Sequence, residues 1–454
     1  MSNTLGEVLD INSCNENELY KTMDWLLKKQ TRIEQNLADK HLENGSLILY
    51  DLTSVYYTGD HCSLAKFGHS KDRKDFPQIV FGLITNDQGC PIAVEVFEGN
   101  VGESKTLKSQ IEKIRMRFGL SRVVLVGDRG IMTQARIRED ISTVEGLDWI
   151  TALRAPEIRA LVEQGNLELS LFDERDMGEI TSPEYPGERL IVCRNPFLAQ
   201  ERTLRREDLL KTTEKSLDKI VEATQRKVRP LKGKEKIGLR VGSVLNKCKV
   251  GKHFKLNIGE EHFSYERDTA KINTEAAVDG IYILRTNLPQ EKMNSADTVR
   301  AYKNLSVVEQ AFRSLKTTDL KVRPIYHRLS GRVRAHIFLC MLAYYVEWHM
   351  RQKLAPALFD EESPQEAESL RSSVVAPAVR SPKTLDKVFS RRTEDGMPVH
   401  SFRTMLKDLA TITRNRVKLP SRPSTTSQPA EFNQIVPLTP LQNKIFKLLG
   451  VPCT

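Results

Sequence analysis

Four apolar runs of strand length lie ahead of residue 130, and their spacing narrows the fold more than any other feature of the chain. "SLILYDLTSVYY" (46–57) alternates and is rich in β-formers; "QIVFGLIT" (78–85) and "PIAVEVFEG" (91–99) follow, and "RVVLVGD" (122–128) is short and continuously apolar. Alternation of period two marks a half-buried strand, and an unbroken apolar run marks one covered on both faces. Only "NDQGC" separates the second and third runs, with the polar residues and glycine that a tight hairpin wants. "ESKTLKSQIEKIRMRFG" (103–119) reads as a helix closed by Gly. A helix-like segment (131–141) and a strand, "LDWITAL" (147–153), come next. Three sequential strands followed by alternation with helices predict an α/β fold, a mixed β-sheet with helices packed on it.

The organisation around that sheet is read from composition. Residues 1–45 hold an N-terminal amphipathic helix, over 16–40, and 46–153 the first part of the core. The segment 154–294 has its own character: a charged helical run, "AQERTLRREDLLKTTEKSLDKIVEATQRKVRPLKGKEK", and strand-like pieces at 188–194, 252–265 and 279–286. It reads as a large α+β insertion subdomain. Residues 295–355 form the second part of the core: a helix over "AYKNLSVVEQAFRSLK" (301–316), a basic loop, "TTDLKVRPIYHRLSGRVRAH" (317–336), and a long apolar helix to about 354. Residues 356–454 read as a linker, rich in Ser, Pro and Ala over 360–385, and a helical C-terminal region with helices near 401–415 and 439–449. No internal repeat is visible.

Bulk properties limit the classes of function. The 454 residues suffice for two or three domains, and 39% hydrophobic with 28% charged residues suits a globular core. A net charge of +10 and a pI of about 9.1 favour a polyanionic partner, nucleic acid first. The seven cysteines are scattered and include no C-x-x-C pair, which argues against a disulfide framework or a zinc site and for a reducing cytoplasm. The first twenty residues have no apolar signal core, and the longest apolar run, "IFLCMLAYYV", is too short to span a bilayer, so no membrane association is expected.

Three acids stand out. Asp51 interrupts an apolar strand, where Asp is depleted and costly to bury unpaired. Asp128 stands at the C-terminal end of the "RVVLVGD" strand, where ligand and catalytic groups gather in α/β sheets. Alone, the first reads as a structural aspartate and the second as a helix cap. Glu309 lies on the 301–316 helix, with Tyr302 and Lys316 seven residues to either side and so on nearly one face. Three carboxylates converging at one sheet edge would repel unless a cation lay between them. Hard oxygen donors favour Mg²⁺ or Mn²⁺, and two such ions about 4 Å apart suit phosphodiester chemistry.

With these motifs in order, the chain resembles the DDE transposases of bacterial insertion sequences, which have an RNase H-like catalytic core. It is similar to the group with the YREK signature, Tyr-x2-Arg-x3-Glu-x6-Lys: Tyr302, Glu309 and Lys316 match, and Leu305 stands where the pattern has Arg. Arg313 or Lys303 is a substitute for that charge. The resemblance runs through "YDLTSVYY", "GHSKDRKDFPQIVFGLITNDQGCPIAVEVFEGN", "LVGDRGI" and "VRPIYHRLSGRVRAHIFLCMLAYY", over roughly 45–155 and 275–355. It implies Asp51, Asp128 and Glu309 as catalytic metal ligands for Mg²⁺ (or Mn²⁺), two ions in number, and DNA contacts from Tyr302, Arg313, Lys316 and Arg323. The implied partner is double-stranded DNA, both element ends and target, met by a homodimer on the bacterial nucleoid in the cytoplasm. Two other readings fit the same residues: an RNase H-like structure-specific nuclease without strand transfer, and an inactive DNA-binding remnant of a transposase. Only about 45 residues precede the first core strand, so end recognition is expected in the insertion and C-terminal region, or the chain is a truncated member.

Other residues carry weaker signals. His61 and His69 flank Cys62 at no zinc spacing. His327 and His336 bracket the basic loop, either against phosphate or as packing groups. The charged run over 201–240 fits a solvated helix face as well as a DNA contact. In the enzymes the chain resembles, an aromatic residue of the insertion can hold a flipped base; here Trp149, in the preceding core strand, and Tyr282 are candidates without support of their own.

Overall fold

The computed structural model describes residues 11, 13–68, 75–165, 176–418 and 431–452. Residues 69–74 of the basic "GHSKDRKDFP" stretch, with His69, and Cys453 lie outside the described residues. The chain divides into two compact units, one of Met1–Thr151, Ala296–Ser372 and Pro377–Thr454, the other of Ala152–Ser295 with Ser373–Ala376.

In chain order the first unit opens with α1 (Glu16–His41), whose Asn15 cap and Glu18 form a reciprocal capping box. β1 (Leu47–Tyr56), β2 (Gln78–Asn86) and β3 (Pro91–Glu98) follow, then α2 (Leu107–Glu112), β4 (Val123–Gly127) and β5 (Leu147–Ala152). The strand order is β3-β2-β1-β4-β5. β1 is antiparallel to β2, and β2 to β3, whereas β4 runs parallel to β1 and β5 to β4. This mixed order is the one expected of an RNase H-like core. Every residue of β4 is buried, as its unbroken apolar run requires. The β2–β3 turn is closed by Asn86, whose Oδ1 accepts from Cys90 N at 2.9 Å and Gln88 N at 3.1 Å, while Gly89 takes the positive φ of 81°.

The second unit contains α3 (Ala155–Glu163), β6 (Met177–Ile180), β7 (Arg189–Arg194), α4 (Pro196–Gln225), α5 (Lys234–Cys248), β8 (Phe254–Ile258), β9 (Phe263–Arg267), α6 (Thr269–Ala276) and β10 (Ile281–Thr286). β10, β7 and β6 are joined antiparallel, and β8 pairs with β9 as a separate ribbon. The charged run is amphipathic: Leu210, Leu217 and Ile220 of α4 are buried against Ile237 and Val241 of α5 and Phe254 and Phe263 of the ribbon. Arg206 forms a nearly buried ion pair with Asp279, and Arg267 bridges Glu207 and Glu214. Arg206, Glu207 and Glu214 of the run are thus paired inside the unit.

Back in the first unit, the segment expected as one helix over 301–316 is divided. α7 (Ser295–Lys303) ends at Asn304, α8 (Leu305–Arg313) restarts, and 314–318 form a wider turn. Asn304 keeps right-handed helical angles (φ −63°, ψ −13°) and its side chain makes no capping bond, so the interruption is slight there, and the wider turn over 314–318 shifts Lys316 from the strict seven-residue column. α9 (Ser330–Leu354) is the long apolar helix; it packs with α1 against β3, where buried Glu34 accepts Val94 N at 3.2 Å and Arg334 donates to Val96 O.

The segment 360–385, expected as linker, is structured instead. α10 (Pro364–Ser369) and α11 (Pro382–Ser390) both begin on Pro, and Ser381 caps the second. Glu361 accepts from Ser381 and Thr384, and buried Lys387 pairs with Glu362. A Ser- and Pro-rich composition here supplies caps rather than disorder. α12 (Phe402–Leu409), the β11–β12 ribbon (Arg414–Lys418, Glu431–Ile435) and α13 (Pro440–Leu449) complete the chain, with Leu441 and Ile445 packed against Leu354, Leu358, Phe402 and Met405.

Candidate active site

The sheet brings the two aspartates together. In the parallel β1–β4 pair Tyr50 is opposite Gly127, so the next residues, Asp51 and Asp128, leave neighbouring strands at the same level and on the same side. Each carboxylate accepts the following backbone N–H, Leu52 N to Asp51 at 2.7 Å and Arg129 N to Asp128 at 2.7 Å. The Asp128 carbonyl accepts Ile131 N and Met132 N, both at 3.0 Å, so the main chain closes the turn and leaves the side chain's outer edge to other partners.

Alternation assigns the two faces of β1. Tyr50 points to the α2 side, where its hydroxyl donates to Thr106 Oγ1 at 2.9 Å. Asp51 points the other way, with Thr53 and the β2 partners Leu83 and Phe81. α8 packs on that second face. Its Phe312 meets Phe81 edge-on at 5.7 Å, and its Val307 fills the space beside Gly89, where a Cβ would lie 2.8 Å away. Glu309 lies between these two anchors in sequence and is exposed; among the described residues the carboxylates of Asp51, Asp128 and Glu309 do not all come within 4.8 Å of one another.

Tyr302 is the residue that links the elements. Its hydroxyl is hydrogen-bonded to the Asp128 side chain, and burial, reinforced by the charges of Asp128 and Asp51 and opposed by Arg129, holds the phenol above its ordinary pKa. The hydroxyl therefore stays protonated and donates. Tyr302 is expected to meet DNA; its hydroxyl is also hydrogen-bonded to an acid of the candidate site. Glu103 was missed altogether. A Cβ on Gly130 would lie 2.5 Å from Glu103 Oε2 and 3.8 Å from Asp128 Oδ2, so a fourth carboxylate stands beside Asp128, in space that only glycine leaves open. Its signal was an acid opening a helix directly after the hairpin, "GNVGESKT". A cleft of about 230 Å³ opens here, lined in part by Thr53, Ser54, Gln78, Asn100 and Glu103.

The basic segment closes on the same end of β1. Tyr57 donates to His327 O at 3.1 Å, and the Arg323 guanidinium lies 4.9 Å from the centre of the Tyr56 ring. Arg332 stacks on Tyr20 at 4.1 Å. His336 pairs with Val322 O at 2.9 Å and packs beside His327, so at least one ring of the pair has a structural partner. Burial, then His336 and Arg332, pull His327 below the usual imidazole pKa. Arg313 is exposed and Lys316 half-buried. Trp149 is 1% exposed in the core, out of reach of a base.

With that geometry in view, a family model described as "Transposase DDE domain" matches residues 43–346. The chain belongs to this family. No curated protein matches the chain. Among solved structures it is similar to a piggyBac transposase synaptic complex with hairpin DNA, determined by cryo-EM, at 8% identity and a TM-score of 0.33; the match covers 81% of this chain and spans 62% of that one. Among the described residues no helix is long and apolar enough to cross a membrane.

Proposed function

We propose that the chain is the transposase of a bacterial insertion sequence, in the YREK group, and that Asp51, Asp128 and Glu309 are its catalytic metal ligands, with Glu103 beside them. The observation that supports the reading is that Asp51 and Asp128 follow a paired position of the parallel strands β1 and β4, with Tyr302 hydrogen-bonded to Asp128 and the Glu309 helix packed on the same face. An all-oxygen donor set of this kind fits Mg²⁺ or Mn²⁺, and two such ions suit it. When bound, they supply activation of the attacking oxygen and stabilisation of the leaving one.

The chain's own residues do the rest. Tyr302 keeps its proton and holds the Asp128 carboxylate in one orientation. Arg313, Lys316 and Arg323 lie on α8, the wider turn after it and the basic segment, and meet DNA phosphates, which positions the strand without reading its sequence. Water attacks the phosphorus at an element end and the P–O3′ bond breaks, leaving a 5′-phosphate and a free 3′-hydroxyl; that hydroxyl then attacks a target phosphorus, losing its proton and forming a new P–O3′ bond as the target's own P–O3′ bond breaks and its 3′-oxygen leaves as a hydroxyl. Residues 154–294 act as an insertion in the catalytic core, and the active complex is a homodimer on nucleoid DNA. The test is Glu309→Gln, which keeps size and removes charge. Mg²⁺-dependent nicking of the element's own ends falls by orders of magnitude while gel-shift affinity holds, because affinity comes mainly from Lys and Arg on phosphates. Normal cutting by this variant rules the assignment out.

A further inference from the structure

A second cluster of ligating side chains lies away from the acids. His41 ends α1, Cys90 opens β3 at the hairpin turn, and His349 sits on α9; one potential ligand atom from each lies within 4.8 Å of the other two. We propose that His41, Cys90 and His349 form a zinc site. Two imidazoles and a thiol are a soft-to-borderline donor set, suited to Zn²⁺ and poorly suited to the hard ions of the carboxylates.

Four observations support it. Cys90 is fully buried, so its thiol is held in place by the protein and the hairpin turn: Asn86 Oδ1 accepts its N–H, and its carbonyl accepts Asn86 N at 3.2 Å. His349 Nε2 is buried without any hydrogen-bond partner, an expensive state for a polar atom unless a ligand satisfies it. The His41 ring is fixed by Tyr345, whose hydroxyl lies 2.9 Å from its Nε2, by an edge contact with the Tyr345 ring and by a tilted contact with His349. Finally, an open polar hollow of about 590 Å³, lined in part by Asp39, Lys40, His41, Glu43 and Asp87, brings solvent to the His41 side of the cluster.

The charges nearby act in both directions. Lys40 faces all three groups and Lys353 faces His349, which disfavours a cation. The acids rimming the hollow favour one. Binding releases the Cys90 proton to solvent, and the thiolate offsets one charge of Zn²⁺. Such a site would join α1, the β2–β3 hairpin and α9, none of which carries the catalytic acids, so it stands or fails independently of them.

The test uses the full chain, stripped with chelator and titrated with Co²⁺ in excess Mg²⁺, which keeps oxygen-only sites filled. One equivalent of Co²⁺ gives tetrahedral visible bands with a near-ultraviolet thiolate-to-cobalt band, and Zn²⁺ bleaches both. Cys90→Ser abolishes the thiolate band. His349→Gln, checked for native circular dichroism, weakens metal affinity by more than the roughly 10–100-fold that loss of an outer-shell partner costs. A wild-type protein without the thiolate band, or a band that survives in Cys90→Ser, overturns the proposal. Should either variant fail to fold, X-ray absorption of the zinc-loaded wild type decides: one sulfur and two imidazoles are expected at zinc, and a first shell without sulfur refutes the site.

Discussion

Tyr302→Phe separates two roles that one sequence position can play. The substitution keeps the ring and its packing and deletes only the hydroxyl bonded to Asp128. A hydrogen bond to a charged partner contributes about 1.5–3 kcal/mol. Asp128 keeps its bond from Arg129 N, so it is loosened rather than released. If about 1.4 kcal/mol of that orientation is expressed in the transition state, cleavage slows about tenfold. Because the lost group positions a metal ligand, the Mg²⁺ concentration for half-maximal nicking rises as well. DNA affinity and its salt dependence stay as in the wild type. Nicking across a Mg²⁺ series and gel shifts across a salt series, on one DNA fragment, read both. A variant that cuts at the wild-type rate with saturating DNA, but binds more weakly with a flatter salt slope, would show that Tyr302 serves the phosphate backbone and that the Asp128 bond is incidental.

Other expectations follow from the same structure. Lys316→Ala should weaken DNA binding and reduce the slope of log affinity against log salt by about one counterion, measured by gel shift, with metal dependence unchanged. Arg351→Met removes the partner of Glu347 at 2.8 Å, Asp319 at 3.2 Å and Asp360 at 3.1 Å, leaving two nearly buried carboxylates, and should cost about 3–5 kcal/mol in urea unfolding. Burial already holds Glu347 above the usual carboxylate pKa, against the pull of Arg351 and Ser314. A raised acid is tolerated when protonated, so the Arg351→Met deficit should be largest near neutral pH and shrink as pH falls toward the unfolded value of about 4.3. Burial also raises the phenols of Tyr50, Tyr302 and Tyr344. Unfolded phenols ionise near pH 10 and these do not, so stability should fall above about pH 10, with the phenolate absorbance of these three, beyond that of exposed tyrosines such as Tyr326, appearing only as the chain unfolds.

The strands were legible because period-two alternation and unbroken apolar runs report burial directly, and β1, β2, β3, β4 and β5 all form where those patterns lie. Asp51 could be singled out because an acid inside an apolar strand is a local contradiction. Asp128 could be singled out because a strand end is visible in sequence. The slight interruption at Asn304 was not legible, since "YKNLSV" contains neither Gly nor Pro and one Asn is a weak signal. Glu103 and the Tyr302–Asp128 bond depend on long-range placement that no local pattern encodes. The same holds for His41, Cys90 and His349: zinc motifs are recognised by short spacing, and these three come from three distant elements. Over 360–385, caps and linkers share the residues Ser and Pro, so composition alone could not separate α10 and α11 from a flexible tether.

β1 is paired along both edges, with β2 from Ile48 to Tyr56 and with β4 through its first four residues. Its side-chain alternation is thereby locked to two neighbours at once, and the chain cannot slide to correct an error in count. A codon lost between Leu47 and Tyr50 would turn Asp51 toward Thr106 and bring Tyr50 or Leu52 to face α8, exchanging the two sides of the sheet in one event. At these positions a change of length is more damaging than a change of residue. An in-frame deletion of one residue here should silence a copy of the gene as completely as a stop codon, while leaving its reading frame, and most of its composition, intact.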